Sequence, residues 1–201
     1  MAIELRGIYK SFGDKQVLVD FSFELLQGIT CIMGPSGKGK TTIANILAGL
    51  TGIDSGAVNI PSGTKFSFVF QEDRLLEWES ALTNVLFVTE NAKKNTALAV
   101  ELLTEADLEN SIYKKAKELS GGMKRRVAIC RALIADYDVI ILDEPFKGLD
   151  ANIKPRIMDM VKSRTGNKTV LAITHDPSEA ERLGGRLVDL DALHAAYVDS
   201  T

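Results

Sequence analysis

The sequence predicts an α/β fold in which a mostly parallel β-sheet core is preceded by an antiparallel β region and interrupted by an inserted helical subdomain. Three observations point there. The N-terminal stretch alternates apolar and polar side chains. Two short apolar runs, ITCIM at 29–33 and VIIL at 139–142, read as buried parallel strands. Between about Ala81 and Ala135, strand formers give way to a helical pattern. The 201 residues, 45% hydrophobic and 25% charged, suffice for one large core with a small subdomain. One domain is therefore expected, with 1–80 and 136–201 as the β core and 81–135 as the helical subdomain.

The elements follow in order. Alternation through Ile3 and Leu5, and again through Val17, Val19, Phe21, Phe23 and Leu25, predicts an antiparallel hairpin with one buried face. The strand ITCIM leads into a glycine-rich loop and a helix from Thr41 to about Leu50, ending near Gly52. Short strands at Ala57 to Ile60 and Phe66 to Phe70 flank the turn signal PSG. In the helical segment Met123, Val127, Cys130 and Ile134 recur on one helix face. Then VIIL, a helix carrying Ile153, Ile157 and Val161, the run TVLAIT, a short polar helix and LVDL restore the alternation of strand and helix. No internal repeat or low-complexity linker interrupts it.

Bulk properties exclude several classes of function. The apolar runs fall far short of the roughly 20 residues that a membrane-spanning helix needs. The opening MAIELRGIYK lacks the apolar stretch of a secretory signal, so a cytoplasmic location is expected. Cys31 and Cys130 sit inside apolar patterns and read as small core residues, not as disulfide, metal or nucleophilic groups. A formal charge of −3 gives no electrostatic case for binding nucleic acid. The run Lys114, Lys115, Lys117, Lys124, Arg125 and Arg126 is expected to be a solvated helical face.

The chemistry concentrates first in Gly34, Pro35, Ser36, Gly37, Lys38, Gly39, Lys40 and Thr41, which match GxxxxGK[ST]. Glycines let the backbone approach an anion and form a concave nest of amides, while the next helix points its positive N-terminal end at the same charge. With a strand before and a helix after, this is a polyphosphate trap. Lys40 is placed to reach the β and γ phosphates of a nucleoside triphosphate, Thr41 to offer its hydroxyl to Mg²⁺, and Thr42 to touch the α phosphate. Lys38 is read as a solvated side chain at the loop. A second site is the pair Asp143 and Glu144, at the end of a buried strand where charge is expensive without a function. Asp143 suits a metal held through water, and Glu144 suits a general base that orients and deprotonates attacking water.

A further helix start stands at Leu119, Ser120, Gly121, Gly122 and Met123. Alone it is a turn and an N-cap. The order of motifs says more: phosphate loop, Gln71 after a strand, LSGGM, LDEP, Gly148-Leu149-Asp150 and a strand-end His175. From about Tyr9 to Leu190 this order resembles the ATP-binding cassette (ABC) ATPases, the nucleotide-binding subunits of ABC transporters. The resemblance implies the P-loop NTPase fold of ABC type, ATP and Mg²⁺ as cofactors, and ATP hydrolysis coupled to transmembrane transport. It also implies that Phe12 stacks on adenine, Gln71 approaches Mg²⁺ and the attacking water, and His175 contacts the γ phosphate. Taken singly, Phe12 reads rather as a core aromatic, Gln71 as a loop amide and His175 as a helix-capping residue, and His194, which matches none of these motifs, reads as a surface histidine.

In the family resembled, two cassettes pair head to tail, so Ser120, Gly121 and Gly122 would serve the partner's nucleotide and Asp150 would cross the interface. The implied partners are a second cassette, with a homodimer as the first expectation, integral membrane subunits, and a solute-binding protein beyond them. The implied place is the cytoplasmic face of the cell membrane. The stretch FVFQEDRLLEW looks like that of importers for nitrate, sulfonate, taurine and related small solutes, which commonly read LLPW; here Glu77 stands at the proline. Leu75, Leu76 and Trp78 read equally as packing or as a dock for a membrane subunit. Only DALHAAYVDST follows LVDL, so no regulatory domain is expected. A soluble ABC ATPase of assembly or repair would carry a long coiled-coil insertion or tandem cassettes. A P-loop kinase would leave LSGGM and His175 without work, and a non-hydrolysing module would not need Glu144.

Overall fold

A computed structural model describes residues 3–35 and 37–190. Ser36 and His194 lie outside the described residues, as does the stretch after LVDL. Two sheets organise the chain. The first has three strands, with β1 (Ile3–Phe12) between β2 (Lys15–Leu25) and β4 (Ser55–Asn59) and both pairings antiparallel. The fourth strand thus starts two residues before the expected Ala57.

The simple alternation predicted for β2 does not hold at its start, where Leu18 is buried and Val19 is exposed. The pairing of β1 with β2 shifts between Leu5 and Ile8 and again between Ile8 and Lys10. Asp20 adopts φ 48°, and Gly7, on the facing strand, φ 55°. An extra residue on a strand of period two sends every side chain beyond it to the opposite face.

The second sheet is parallel throughout, in the order β5 (Phe66–Val69), β6 (Val139–Asp143), β7 (Thr169–Ile173), β3 (Gly28–Met33), β8 (Arg186–Asp189). Both of its faces are covered, which is why its strands read as unbroken apolar runs. Val139 and Ile141 of β6 pack with α1 (Lys40–Leu47) and the antiparallel sheet, whereas Ile140 and Leu142 face the helices on the other side. Helix α1 is shorter than predicted: Gly49, at φ 70°, turns the chain out before Leu50.

Between Ala81 and Ile134 lie α2 (Ala81–Leu86), α3 (Ala92–Glu105) and α4 (Gly121–Ile134), joined through two 3₁₀ turns. The side chains of Ser80, Asn91 and Ser120 cap these helices by accepting from backbone N–H groups. Helices α5 (Lys154–Thr165) and α6 (Pro177–Leu183) complete the order. Both cysteines are buried, and burial pushes the Cys31 thiol up to about 11 and the Cys130 thiol to about 12, as inert core residues require. Among the described residues, no helix is long and apolar enough to cross a membrane.

Candidate nucleotide-binding site

The parallel sheet sets the site by ending its strands together. β3 delivers the glycine loop, β6 delivers Asp143 and Glu144, and β7, between them, delivers Thr174 and His175. Loop hydrogen bonds continue the ladder past the strand ends: Glu144 N–H donates to Ile173 O at 2.9 Å, and Thr174 N–H to Ile32 O at 3.2 Å. In the loop Gly34, Gly37 and Gly39 all take positive φ. Gly39 is further constrained by space, because a Cβ there would sit 3.0 Å from Leu18 Cδ2 and Val17 Cγ1.

Lys40, the first residue of α1, is buried and its ammonium donates to Gly34 O (2.6 Å) and Pro35 O (2.7 Å), which holds it at the loop's mouth. Thr41 donates its hydroxyl to Asp143 Oδ2 at 2.8 Å. That contact joins the phosphate loop to the acidic strand end. The first turn of α1 carries no acidic side chain of its own, so the carboxyl that meets it comes from the end of β6.

The two adjacent acids have opposite electrostatics. Burial pushes the Asp143 carboxyl above its ordinary value, Glu144 adding to the rise while Thr41, Arg125 and Lys40 oppose it. Burial would also raise Glu144, but Lys147 and His175 outweigh it and hold that carboxyl below the usual range. Glu144 Oε1 lies 3.2 Å from His175 Nδ1. Lys147 Nζ stands 3.3 Å from Oε2 as an ion pair without hydrogen-bond alignment, so Oε2 is a buried acceptor with no aligned donor. Glu144 also adopts φ 47°, a left-handed conformation that a non-glycine residue holds only when its surroundings impose it.

Phe12, Gly37, Gly39, Lys40, Thr41, Thr42, Gln71, Asp143 and Glu144 line one cleft of about 220 Å³. Phe12 is 51% exposed, so it is not a core aromatic. His175 opens onto an adjoining cleft that shares Glu144, and the helix after it is capped by Asp176, not by His175. Lys38 is exposed at the loop. Ser120, Gly121 and Gly122 do not line the cleft of their own chain. They form the start of α4, where a Cβ on Gly122 would come within 3.3 Å of Gly148 O, two residues before the exposed Asp150.

The basic run corrects one expectation. Lys114, Lys115 and Lys117 are exposed, but Arg125 is buried and Arg126 half-buried. Arg126 reaches Ala106 O and Asp107 O, while Arg125 points inward to the carbonyls of Asp143, Glu144 and Pro145. Arg125 heads the buried stripe of Ala128, Ile129 and Ala132, and that spacing was the available signal.

The family described as ABC transporter matches residues 18–147. The chain belongs to the ABC transporter family. This cassette is 37% identical over 194 residues to the aliphatic sulfonates import ATP-binding protein SsuB 1 of Nocardia farcinica, covering 95% of this chain and 78% of the relative. To the SsuB of Corynebacterium glutamicum it is 40% identical, with 98% and 85% covered. Its fold matches the dimeric bacterial ABC transporter cassette MJ0796 with a TM-score of 0.83 at 30% identity, covering 93% of each chain. The same cassette in a post-hydrolysis state bound to ADP and phosphate gives 0.81 at 29%. The chain is thus an ABC ATPase of the sulfonate, nitrate and taurine group, an ATP-binding and ATP-hydrolysing subunit.

Proposed function

We propose that this cassette holds Mg-ATP between itself and a second copy and hydrolyses it to drive uptake of a small solute. The cleft that gathers Phe12, Lys40, Thr41, Gln71, Asp143 and Glu144 from distant parts of the sequence carries the reading. Phe12 offers its exposed ring to adenine. The backbone N–H groups of Gly34, Gly37, Lys38 and Gly39, with Thr42, cradle the phosphates, and Lys40 turns its ammonium to the β and γ groups. The hydroxyl of Thr41, the carboxylate of Asp143 and the amide oxygen of Gln71 are hard oxygen donors, which suit Mg²⁺. When bound, that ion supplies neutralising charge at the β and γ phosphate oxygens.

Glu144 accepts the proton of the attacking water. Held below the usual carboxylate range, it is ionised at any physiological pH but is a weak base, so orienting the water is its larger contribution. His175, at hydrogen-bond distance from Glu144, faces the γ phosphate. Ser120, Gly121 and Gly122, exposed or half-buried at a helix start that lines no part of their own cleft, close over the partner's nucleotide, and Asp150 lies at the same two-fold interface. In this reading residues 81–135 turn as a subdomain against 1–80 and 136–201.

Membrane subunits dock on a different face. A cleft of about 830 Å³ is lined by Phe66, Phe68, Phe70, Phe87 and Val88 together with charged side chains such as Arg74, Glu90 and Arg131, and Phe87 is 68% exposed; Leu76 and Trp78 are exposed as well. Such a surface, part apolar and part charged, suits an amphipathic segment of a membrane protein. The cassette then sits on the cytoplasmic side of the membrane, and a solute-binding protein delivers the cargo. The names of the SsuB relatives support an aliphatic sulfonate as the cargo class. Purification of a Glu144→Gln chain from native membranes with Mg-ATP tests the whole. Phosphate release is expected to fall about 10²- to 10⁴-fold, and the dimer is expected to persist beside a multi-span partner. Undiminished phosphate release removes the base assignment, and the absence of a multi-span partner removes transport.

A further inference from the structure

Arg125 is the most heavily engaged side chain near the site, and no step above uses it. Its guanidinium is buried between three segments. Nε donates to Pro145 O at 2.9 Å, and Nη2 donates to Asp143 O at 2.8 Å and Glu144 O at 2.6 Å. Nη1 donates to Phe70 O, to Gln71 O at 3.5 Å and to Asp73 Oδ1 at 3.2 Å. Three consecutive carbonyls around Glu144 and two around Gln71 therefore converge on one planar cation. That cation belongs to α4, whose first residue follows Ser120.

We propose that Arg125 is the positioning residue that locks Glu144 and Gln71 into one geometry and ties both to the helix start that serves the partner's nucleotide. The backbone at Glu144 is left-handed, and the Arg125 bonds to the carbonyls of residues 143, 144 and 145 hold the peptides on either side of it together with the Glu144 N–H bond to Ile173 O. A planar fork with five N–H donors can span both sets of carbonyls, whereas an ammonium is a compact point charge and an uncharged amide is shorter. A shift of α4 then moves the carbonyls of the Gln71 turn and of the Glu144 turn together. The inference rests on the assignment of Glu144 and Gln71 to the hydrolytic step. Arg125 itself is not among the residues that line the nucleotide cleft.

The test compares Arg125→Gln and Arg125→Lys with the unaltered chain and with Glu144→Gln, reading kcat and KM for ATP, the Kd for a fluorescent ATP analogue, and the thermal melt. A misplacement of about 1 Å at a reacting group costs about 10²-fold in rate, so kcat is expected to fall on that order in both Arg125 variants. KM and Kd are expected to stay near the unaltered values, because Lys40, Thr41 and the glycine loop are not bonded to Arg125. Retained kcat in either variant overturns the inference. So does a loss matched by a rise in Kd or by the fraction of unfolded chain. Where Arg125→Gln fails to fold, Arg125→Lys, which keeps the buried charge, carries the measurement, and failure of both to fold makes Arg125 a structural residue and ends the proposal. If Glu144→Gln still turns over, the base assignment fails instead. If Glu144→Gln is dead while the Arg125 variants are active, only the positioning role fails.

Discussion

Replacing Asp176 tests the support beneath His175, because this residue is both a helix cap and half of an ion pair. Its Oδ1 accepts from Ser178 N–H at 2.9 Å, capping α6, and its Oδ2 lies 2.9 Å from Lys154 Nζ on α5. Lys154 also pairs with the buried Glu179, which accepts the hydroxyl hydrogen of Thr174, so both neighbours of His175 are anchored. Bonds from Ser178 and Lys154 hold the Asp176 carboxyl at about 2, against an ordinary 3.8. At about 1.4 kcal/mol per pH unit, such a difference is worth about 2.5 kcal/mol. The side chain is 34% exposed, and solvent screening cuts that figure to about 1 kcal/mol.

Asparagine keeps the cap and loses the charge, so Asp176→Asn is expected to cost about 1 kcal/mol at pH 7. Alanine loses the cap as well, worth about another 1 kcal/mol. The sign in pH follows from a lowered pKa: the stabilisation is complete above the unfolded value near 3.8 and disappears as pH falls through about 2. Urea titrations at pH 7, 5 and 3 measure it. The gap between the unaltered chain and Asp176→Asn should be equal at pH 7 and 5 and smaller at pH 3. Equal stability of the two at pH 7, or a gap that grows on acidification, refutes the reasoning.

Two further outcomes are expected. Ser120→Arg leaves ATP binding intact and abolishes turnover. Mixing it with a chain carrying Lys40→Ala, itself inactive, restores turnover, because one composite site then has an intact loop from one chain and an intact helix start from the other; no gain on mixing in a steady-state ATPase assay argues for sites built within one chain. Gly185→Ala would place a Cβ 2.3 Å from Ile29 O and 2.7 Å from Ile29 Cγ2, prising β8 from β3. Overpacking against backbone is expected to cost about 3 kcal/mol, a fall in Tm of about 6–12 °C by calorimetry, and a fall below about 2 °C contradicts the packing argument.

The phosphate loop and the acids at 143 and 144 were legible because each lies within a single strand-loop-helix turn, where spacing along the chain is spacing in space. The alternation of β2 was only partly legible. Its phase depends on Gly7 and Asp20 lying across a ladder from one another, and no local pattern announces that bulge. The end of α1 was misplaced for a milder reason, since both Gly49 and Gly52 are competent stops and the chain turned at the first.

Arg125 shows the limit most clearly. In sequence it is one of six cations, and a charge run is ordinarily a solvated face. Its side chain instead binds carbonyls more than fifty residues upstream and about twenty downstream. Backbone acceptors carry no residue identity, so nothing in the letters at 70, 71, 143, 144 or 145 marks them as its partners. Only the helical phase was readable: Arg125 shares its stripe with Ala128, Ile129 and Ala132, which are all buried. A cation on an apolar stripe must either reach water or find acceptors within the fold. In a helix capped by Ser120, the acceptors within reach were the strand ends that carry the chemistry.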